Sequence, residues 1–226
     1  MGRNIDIVYA LDATGSMGGC MANVKNNLNK INAEIYNQLT DDAGNSQIDL
    51  LRVKFVIFRD YKSEGSAAIT ESPFFERPDD DKLMQAYINA VDAYGGGDGP
   101  ENGLEAMYYA MKSDFNSLNG RKDRQVIILI TDNDAHELGD RAACAGYPSE
   151  MVDFDGLKGL WSGSDQSVSF GEKSKRMLIF APAGTKYEEF AKACARVQFI
   201  ETDLGDGLNG IDFAEVMKAI VATATA

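Results

Sequence analysis

Five consecutive aliphatic residues, Val126-Ile127-Ile128-Leu129-Ile130, run straight into Thr131-Asp132. A stretch this short, apolar and β-branched, with no polar alternation, reads as a strand covered on both faces. Strands of that kind belong to parallel sheets, and a parallel sheet needs a crossover helix between successive strands. The chain supplies both. Ile5 to Leu11, Leu50 to Phe58, Arg176 to Ala181 and Val197 to Ile200 read as further strands. A weaker one spans about Ala67 to Phe75, where Pro73 suits a sheet edge.

The segments between them carry helical spacing. Val24, Leu28, Ile31, Ile35 and Leu39 predict a helix from about Met17 to Leu39. Leu83, Ala86, Tyr87, Ala90 and Val91 predict one from about Asp80 to Ala93. Leu104, Met107, Tyr108 and Met111 stripe a third, with Pro100 and Glu101 in its first turn. A fourth is expected around Ser149 to Trp161, followed by a loop from Ser162 to Phe170. Thr185-Lys186-Tyr187-Glu188 reads as a capping box opening a helix to about Ala195, and Asp212 as the cap of the last helix. Strands alternating with helices give an α/β, doubly wound, mostly parallel six-stranded sheet with helices on both faces. Residues 1–226 are expected to form one domain, since no linker, repeat or low-complexity stretch divides them.

Charge narrows the partners. With 22 basic and 35 acidic side chains the net charge is −13. That disfavours nucleic acid, which selects a basic face, and an anionic membrane surface. No apolar run approaches the ~18 residues of a membrane span. Three scattered cysteines, Cys20, Cys144 and Cys194, form no disulfide or zinc pattern. The first residues enter a strand at once, so no signal peptide and a cytoplasmic location are expected.

The first strand ends in Asp12-Ala13-Thr14-Gly15-Ser16. Asp12, Thr14 and Ser16 therefore lie in a strand-to-helix turn at the carboxyl end of a strand, the rim where open α/β sheets bind ligands. Three short oxygen-bearing side chains at every second residue can face one point, an arrangement that suits a hard divalent cation. Mg2+ is the expected ion, with Mn2+ or Ca2+ as alternatives.

Asp12-x-Thr14-Gly15-Ser16 resembles the D-x-[ST]-G-S motif of von Willebrand factor A (vWA) domains, where it opens a metal-ion-dependent adhesion site. The resemblance covers essentially the whole chain. It implies a sheet order of 3-2-1-4-5-6 with an antiparallel edge strand, and two further loops at the metal. Thr131-Asp132 matches the third loop. The second usually offers a threonine after paired glycines, but here reads Gly95-Gly96-Gly97-Asp98-Gly99-Pro100-Glu101, so Asp98 is the natural substitute. The expected metal set is Asp12, Thr14, Ser16, Asp98 and Asp132. Three carboxylates on one cation imply tighter metal binding and less demand for a partner's acid than two would.

Phe58-Arg59-Asp60-Tyr61, the glycine-rich loop and Asp132-Asn133-Asp134-Ala135-His136 together resemble a vWA subgroup. It includes intracellular domains associated with alpha-kinases and the vWA domain of hemicentin-like proteins. What this implies is a non-catalytic, divalent-metal-dependent protein-binding module acting as an intracellular scaffold or adaptor. Its protein partner would engage the metal through an acidic side chain. The alternative is a Mg-dependent phosphohydrolase of haloacid dehalogenase type using Asp12, but that chemistry needs a second aspartate where Thr14 stands. An α/β-hydrolase needs a glycine at the same place.

Around the site, Asp60 is expected as a solvated turn acid, and Asp134 and Glu137 as rim charges. His136 is expected in a surface or hydrogen-bonded role, and Trp161 in the core or half-buried. Cys20 follows the site near a helix start, where a thiol pKa can fall. Asp203, Asp206, Asn209 and Asp212 have the look of a calcium loop but not EF-hand spacing, and read better as a turn into the Asp212 cap.

Overall fold

The apolar runs form one sheet whose two faces are each covered by helices. A computed structural model describes residues 2–97, 99–116, 123–163, 167–205, 207–208, 210 and 212–225. Strands β1 (Arg3–Asp12), β2 (Ile48–Phe58), β3 (Ile69–Glu71), β4 (Phe75–Arg77), β5 (Arg124–Ile130), β6 (Lys175–Pro182) and β7 (Val197–Thr202) make a seven-stranded sheet. Its order is β3-β2-β1-β5-β6-β7, with β4 also on β2. β2, β1, β5, β6 and β7 are parallel, while β3 and β4 run antiparallel on the outer side of β2. The expected order is therefore met, except that the single edge strand is two.

That division has a local cause. Val56 faces Glu71 while Val53 faces Phe75, so three steps on β2 are matched by four on the edge. The extra residue is a β-bulge at Ser72-Pro73-Phe74. Proline has no N–H to donate to the ladder, so the pairing here is carried by Ser72, whose N–H donates to the Phe55 carbonyl and whose hydroxyl accepts the Phe55 N–H, both at 2.9 Å.

Period-two alternation sorts the strand residues onto two layers. Ile5, Ile7, Tyr9 and Leu11 pack with α1 (Gly18–Gln38), α3 (Asp81–Asn89) and α7 (Phe213–Thr225). Val8 and Ala10 face α4 (Gly103–Met111), α5 (Phe154–Ser162) and α6 (Lys186–Ala193). A short α2 (Tyr61–Glu64) follows β2. β5 is buried from Gln125 to Ile130, as its sequence requires of a central strand. Each such aliphatic side chain contributes roughly 1.5–3 kcal/mol by burial. Trp161 is buried and donates its indole N–H to the Ala195 carbonyl at 2.8 Å, so it is a core residue.

Several helix ends differ from expectation. α4 begins at Gly103, so Pro100 and Glu101 precede it; Glu101 instead bridges in parallel to Ala135. The first-turn acid of α4 is Glu105. α5 starts later than expected because Asp153 caps it, accepting the Gly156 N–H at 2.8 Å. The capping box at α6 does not form. The Thr185 hydroxyl donates to the Pro182 carbonyl, and Glu188 accepts from the Gly184 N–H. α3 stops at Asn89 and α6 at Ala193, both short of the expected ends. Asp212 does cap α7, accepting from the Ala214 N–H at 3.0 Å.

Candidate metal centre

Parallel pairing places Leu11 beside Ile130, so β1 and β5 end together at the carboxyl rim. Each ends in an acid. Asp12 closes β1 and Asp132 follows β5 by two residues; both are buried. The turn after Asp12 is folded by Asp12 itself. One carboxylate oxygen accepts both the Thr14 N–H, at 2.9 Å, and the Thr14 hydroxyl, at 2.7 Å. The Ser16 hydroxyl is 3.4 Å from that of Thr14. The second oxygen of Asp12 accepts the Thr131 hydroxyl at 2.7 Å. Asp12, Thr14 and Ser16 are thus held in one turn, as their spacing predicts, and β5 brings Asp132 to it. Burial raises the Asp12 carboxyl to about 6, against the hydrogen bonds of Thr14 and Thr131, and the charge of Asp132 adds to the rise.

The glycine-rich loop closes the third side. Gly15 N–H donates to the Gly95 carbonyl at 3.2 Å and Tyr94 N–H to the Ala13 carbonyl at 2.9 Å. Gly95 and Gly96 have φ of 75° and 72°, backbone that glycine adopts without steric cost. At Gly96 a Cβ would fall 2.6 Å from a Glu101 carboxylate oxygen and 3.1 Å from the Thr14 side chain. This loop is therefore pressed onto the turn that carries Thr14. Asp98, the sequence's substitute for the usual threonine, lies outside the described residues.

The donor chemistry fits a hard divalent ion. The oxygens are carboxylates and hydroxyls, and the two acids are buried at adjacent strand ends. Among the described residues no group of three histidines, cysteines or acids could hold a metal by itself. A cation here would rest on Asp12 and Asp132 together with the hydroxyls of Thr14 and Ser16.

Sequence reasoning missed the frame around this site. Arg59 is buried; its guanidinium donates to the carbonyls of Ala13, at 3.1 Å, and Asp92, at 2.6 Å, and lies 4.1 Å from the Tyr94 ring centre. It thereby ties β2, the turn after Asp12 and the glycine-rich loop together. Asn102 accepts from the Tyr61 N–H at 2.8 Å, and Glu101 N–H donates to the Asp134 carbonyl at 3.0 Å. The available signals were weak: Arg59 directly follows an apolar strand, and Glu101 and Glu105 share a helical face in the expected helix.

Asp60 is not solvated. It is fully buried, and Arg141 reaches it at 3.0 Å, with His136 at 3.7 Å. His136 is itself buried beside Arg141. Asp134 organises the rim, accepting from the Ala135 N–H at 2.7 Å and the Lys186 N–H at 2.9 Å, while Glu137 pairs with the Lys186 ammonium at 2.6 Å. Glu105 is buried and accepts the Tyr147 hydroxyl at 3.0 Å; burial raises its carboxyl to about 7. Burial also pushes the Cys20 thiol up, to about 11, the reverse of an activated thiol. Gly205 N–H donates to the Asp132 carbonyl at 2.8 Å, so the segment after β7 touches the rim. Asp206 and Asn209 of the calcium-like pattern lie outside the described residues.

Solved structures share this architecture. Proximal thread matrix protein 1 from the mussel byssus matches 99% of this chain at 16% identity, with a TM-score of 0.51 over 47% of its own length. The pilus adhesin SpaC from Lactobacillus rhamnosus GG matches 98% at 10% identity, with a TM-score of 0.56 over 31% of its length. The fold is vWA-like. Another structure of the byssal protein, described with a zinc-occupied MIDAS motif, gives a TM-score of 0.49 at 15% identity. At these identities the likeness is one of fold, and the chain spans under half of either protein. No protein-family profile and no curated protein matches the sequence. Among the described residues, no helix is long and apolar enough to cross a membrane.

Proposed function

We propose that this vWA-like chain is a divalent-cation-dependent protein-binding module. Asp12, Thr14, Ser16 and Asp132 hold the cation, with Asp98 as a further ligand and Mg2+ the resident ion. The observation that carries this reading is the junction of two strand ends. Asp12 fastens Thr14 through one carboxylate oxygen and Thr131 through the other, in the residue before Asp132. The cation supplies a Lewis-acidic point at the rim, to which an acidic side chain of a protein partner adds. The like-folded pilus protein is an adhesin and the byssal one a thread matrix protein, which supports a role in contacts between proteins. The finer reading is an intracellular scaffold or adaptor of one domain, in the alpha-kinase-associated and hemicentin-like subgroup.

Binding rather than catalysis suits the geometry of Asp12. A phosphohydrolase of haloacid dehalogenase type needs a second aspartate two residues after the nucleophile, where Thr14 stands and spends its hydroxyl hydrogen on Asp12. Calorimetry with Mg2+ and Mn2+ on the wild type, Asp12→Ala and Asp98→Ala tests the proposal. Binding lost in Asp12→Ala and weakened in Asp98→Ala is the expected result. Wild-type affinity in Asp12→Ala removes the site, and unchanged affinity in Asp98→Ala removes that residue from the shell.

A further inference from the structure

In a chain of net charge −13, four arginines gather where the parallel strands begin. Arg3 opens β1, Arg124 opens β5, Arg176 is the second residue of β6, and Arg196 immediately precedes β7. Register and alternation align the first three. Arg124 is paired with Ile5 and Arg176 with Val126. Ile5 and Val126 both belong to the layer under α1 and α7, so Arg3, Arg124 and Arg176 share that face. Arg196 joins them through the backbone, its carbonyl accepting the Met177 N–H at 3.0 Å.

A cavity of about 290 Å³ opens at this end, lined by Arg176, Arg196, Gln198 and Thr223 among others. The guanidiniums are crowded. The charges of Arg176, Arg3 and Arg196 add to burial in lowering Arg124, and Arg196 acts likewise on Arg176. Arg124 donates to the Asp123 carbonyl at 2.7 Å. Arg176 donates to the carbonyls of Lys173 and Lys175, and Arg3 to the Thr225 carbonyl at the end of α7. Acids stand nearby as well: Glu172, at a loose 3.9 Å from Arg196 and shared with Lys175, Asp123, which accepts the Asn4 N–H, and Asp49, which lies against Gly2. Arg196 moreover has φ of 62°, a left-handed backbone at which glycine is the unstrained choice. The fold thus holds a bulky cation at a position that disfavours it.

We propose that this cavity is a binding site for a phosphate group, gripped by Arg176 and Arg196 with Arg3 and Arg124 behind them. Planar guanidinium forks bind phosphate oxygens in pairs, and a dianion relieves the repulsion between neighbouring arginines. The space exceeds a bare phosphate and admits the group that bears it, either a small metabolite or a phosphorylated side chain. An extended nucleic acid is disfavoured, because its many phosphates would meet an acidic surface beyond the pocket. The site stands about 20 Å from Asp12, because Arg176 lies level with Ile7 through Val126, five residues along β1 and two strands across, and it does not depend on the metal.

Calorimetry in EDTA, with pyrophosphate, phenyl phosphate and a phosphoserine peptide as probes, tests it apart from any metal-bound phosphate. Saturable binding is expected for at least one probe. It should be weakened by about tenfold or more in Arg176→Gln and in Arg196→Gln, with Arg176→Lys in between. Far-UV circular dichroism checks that each variant is folded. Preference for the peptide over the small phosphates assigns a phosphorylated protein side chain, and the converse a metabolite. No saturable binding up to about 10 mM, or binding that both glutamine variants retain in full, overturns the proposal.

Discussion

Thr131 donates its hydroxyl hydrogen to a carboxylate oxygen of Asp12 across 2.7 Å, joining residues 119 positions apart. Both are fully buried. Replacing the hydroxyl by a methyl in Thr131→Val keeps the shape and strips the buried carboxylate of one donor. A loss of roughly 1–3 kcal/mol is expected in EDTA, read from the urea midpoint. Mg2+ affinity should fall as well, since Asp12 loses its orientation. An unchanged midpoint would show that the bond contributes nothing.

Gly96→Ala combines two costs, a left-handed φ of 72° and a Cβ too close to Glu101 and Thr14. Gly44→Ala is its control: φ is 83°, but nothing lies within 4 Å. The control should lose only the backbone penalty of roughly 1–2 kcal/mol. Gly96→Ala should lose more and should weaken Mg2+ binding, which Gly44→Ala leaves alone. Equal behaviour of the two in calorimetry and urea unfolding would separate the glycine-rich loop from the metal turn.

Arg141 and Asp60 form a pair in which the acid is fully buried. Arg141→Ala strands that charge beside His136 and should cost about 3–5 kcal/mol. Adding Asp60→Asn should recover much of it, because no buried charge then remains. A double-mutant cycle with additive losses would mean that the two side chains do not interact.

Glu105 fixes a pH dependence. In the folded chain it holds its proton up to about pH 7, against an ordinary value of 4.5. Between those limits the unfolded chain binds fewer protons, so stability falls as pH rises, by about 1.4 kcal/mol per pH unit. Asp12 adds the same sign only up to about pH 6. Of these two acids only Glu105 contributes between pH 6 and pH 7, and its share of the slope should vanish in Glu105→Gln. Urea titrations across that interval measure it, and a slope unchanged by the substitution contradicts the assignment.

What the sequence discloses is what local chemistry controls. The apolar run before Asp132 can only be a covered strand, and Asp12, Thr14 and Ser16 are spaced within a single turn. Those features depend on neighbours in the chain. Arg59, which reaches back to the Ala13 carbonyl, and Arg141, which finds Asp60, depend on loops meeting in space, and no periodicity encodes them. Competition between local bonds explains the ends that differ. Glu101 suits a helix's first turn by its charge, but its backbone is taken by Asp134 and His136 across the rim. Thr185 had a cap to make and gave its hydrogen to Pro182 instead.

The break between β3 and β4 reaches beyond the fold. An uninterrupted edge strand is a template on which another chain can continue the sheet. Here the outer margin of β2 is covered by two three-residue strands kinked at Ser72-Pro73, with Lys54 and Glu71 paired across it. Too short and too bent to seed a ladder, that margin denies strand-on-strand growth to another chain. Association from that side must proceed through side chains, and so remains selective.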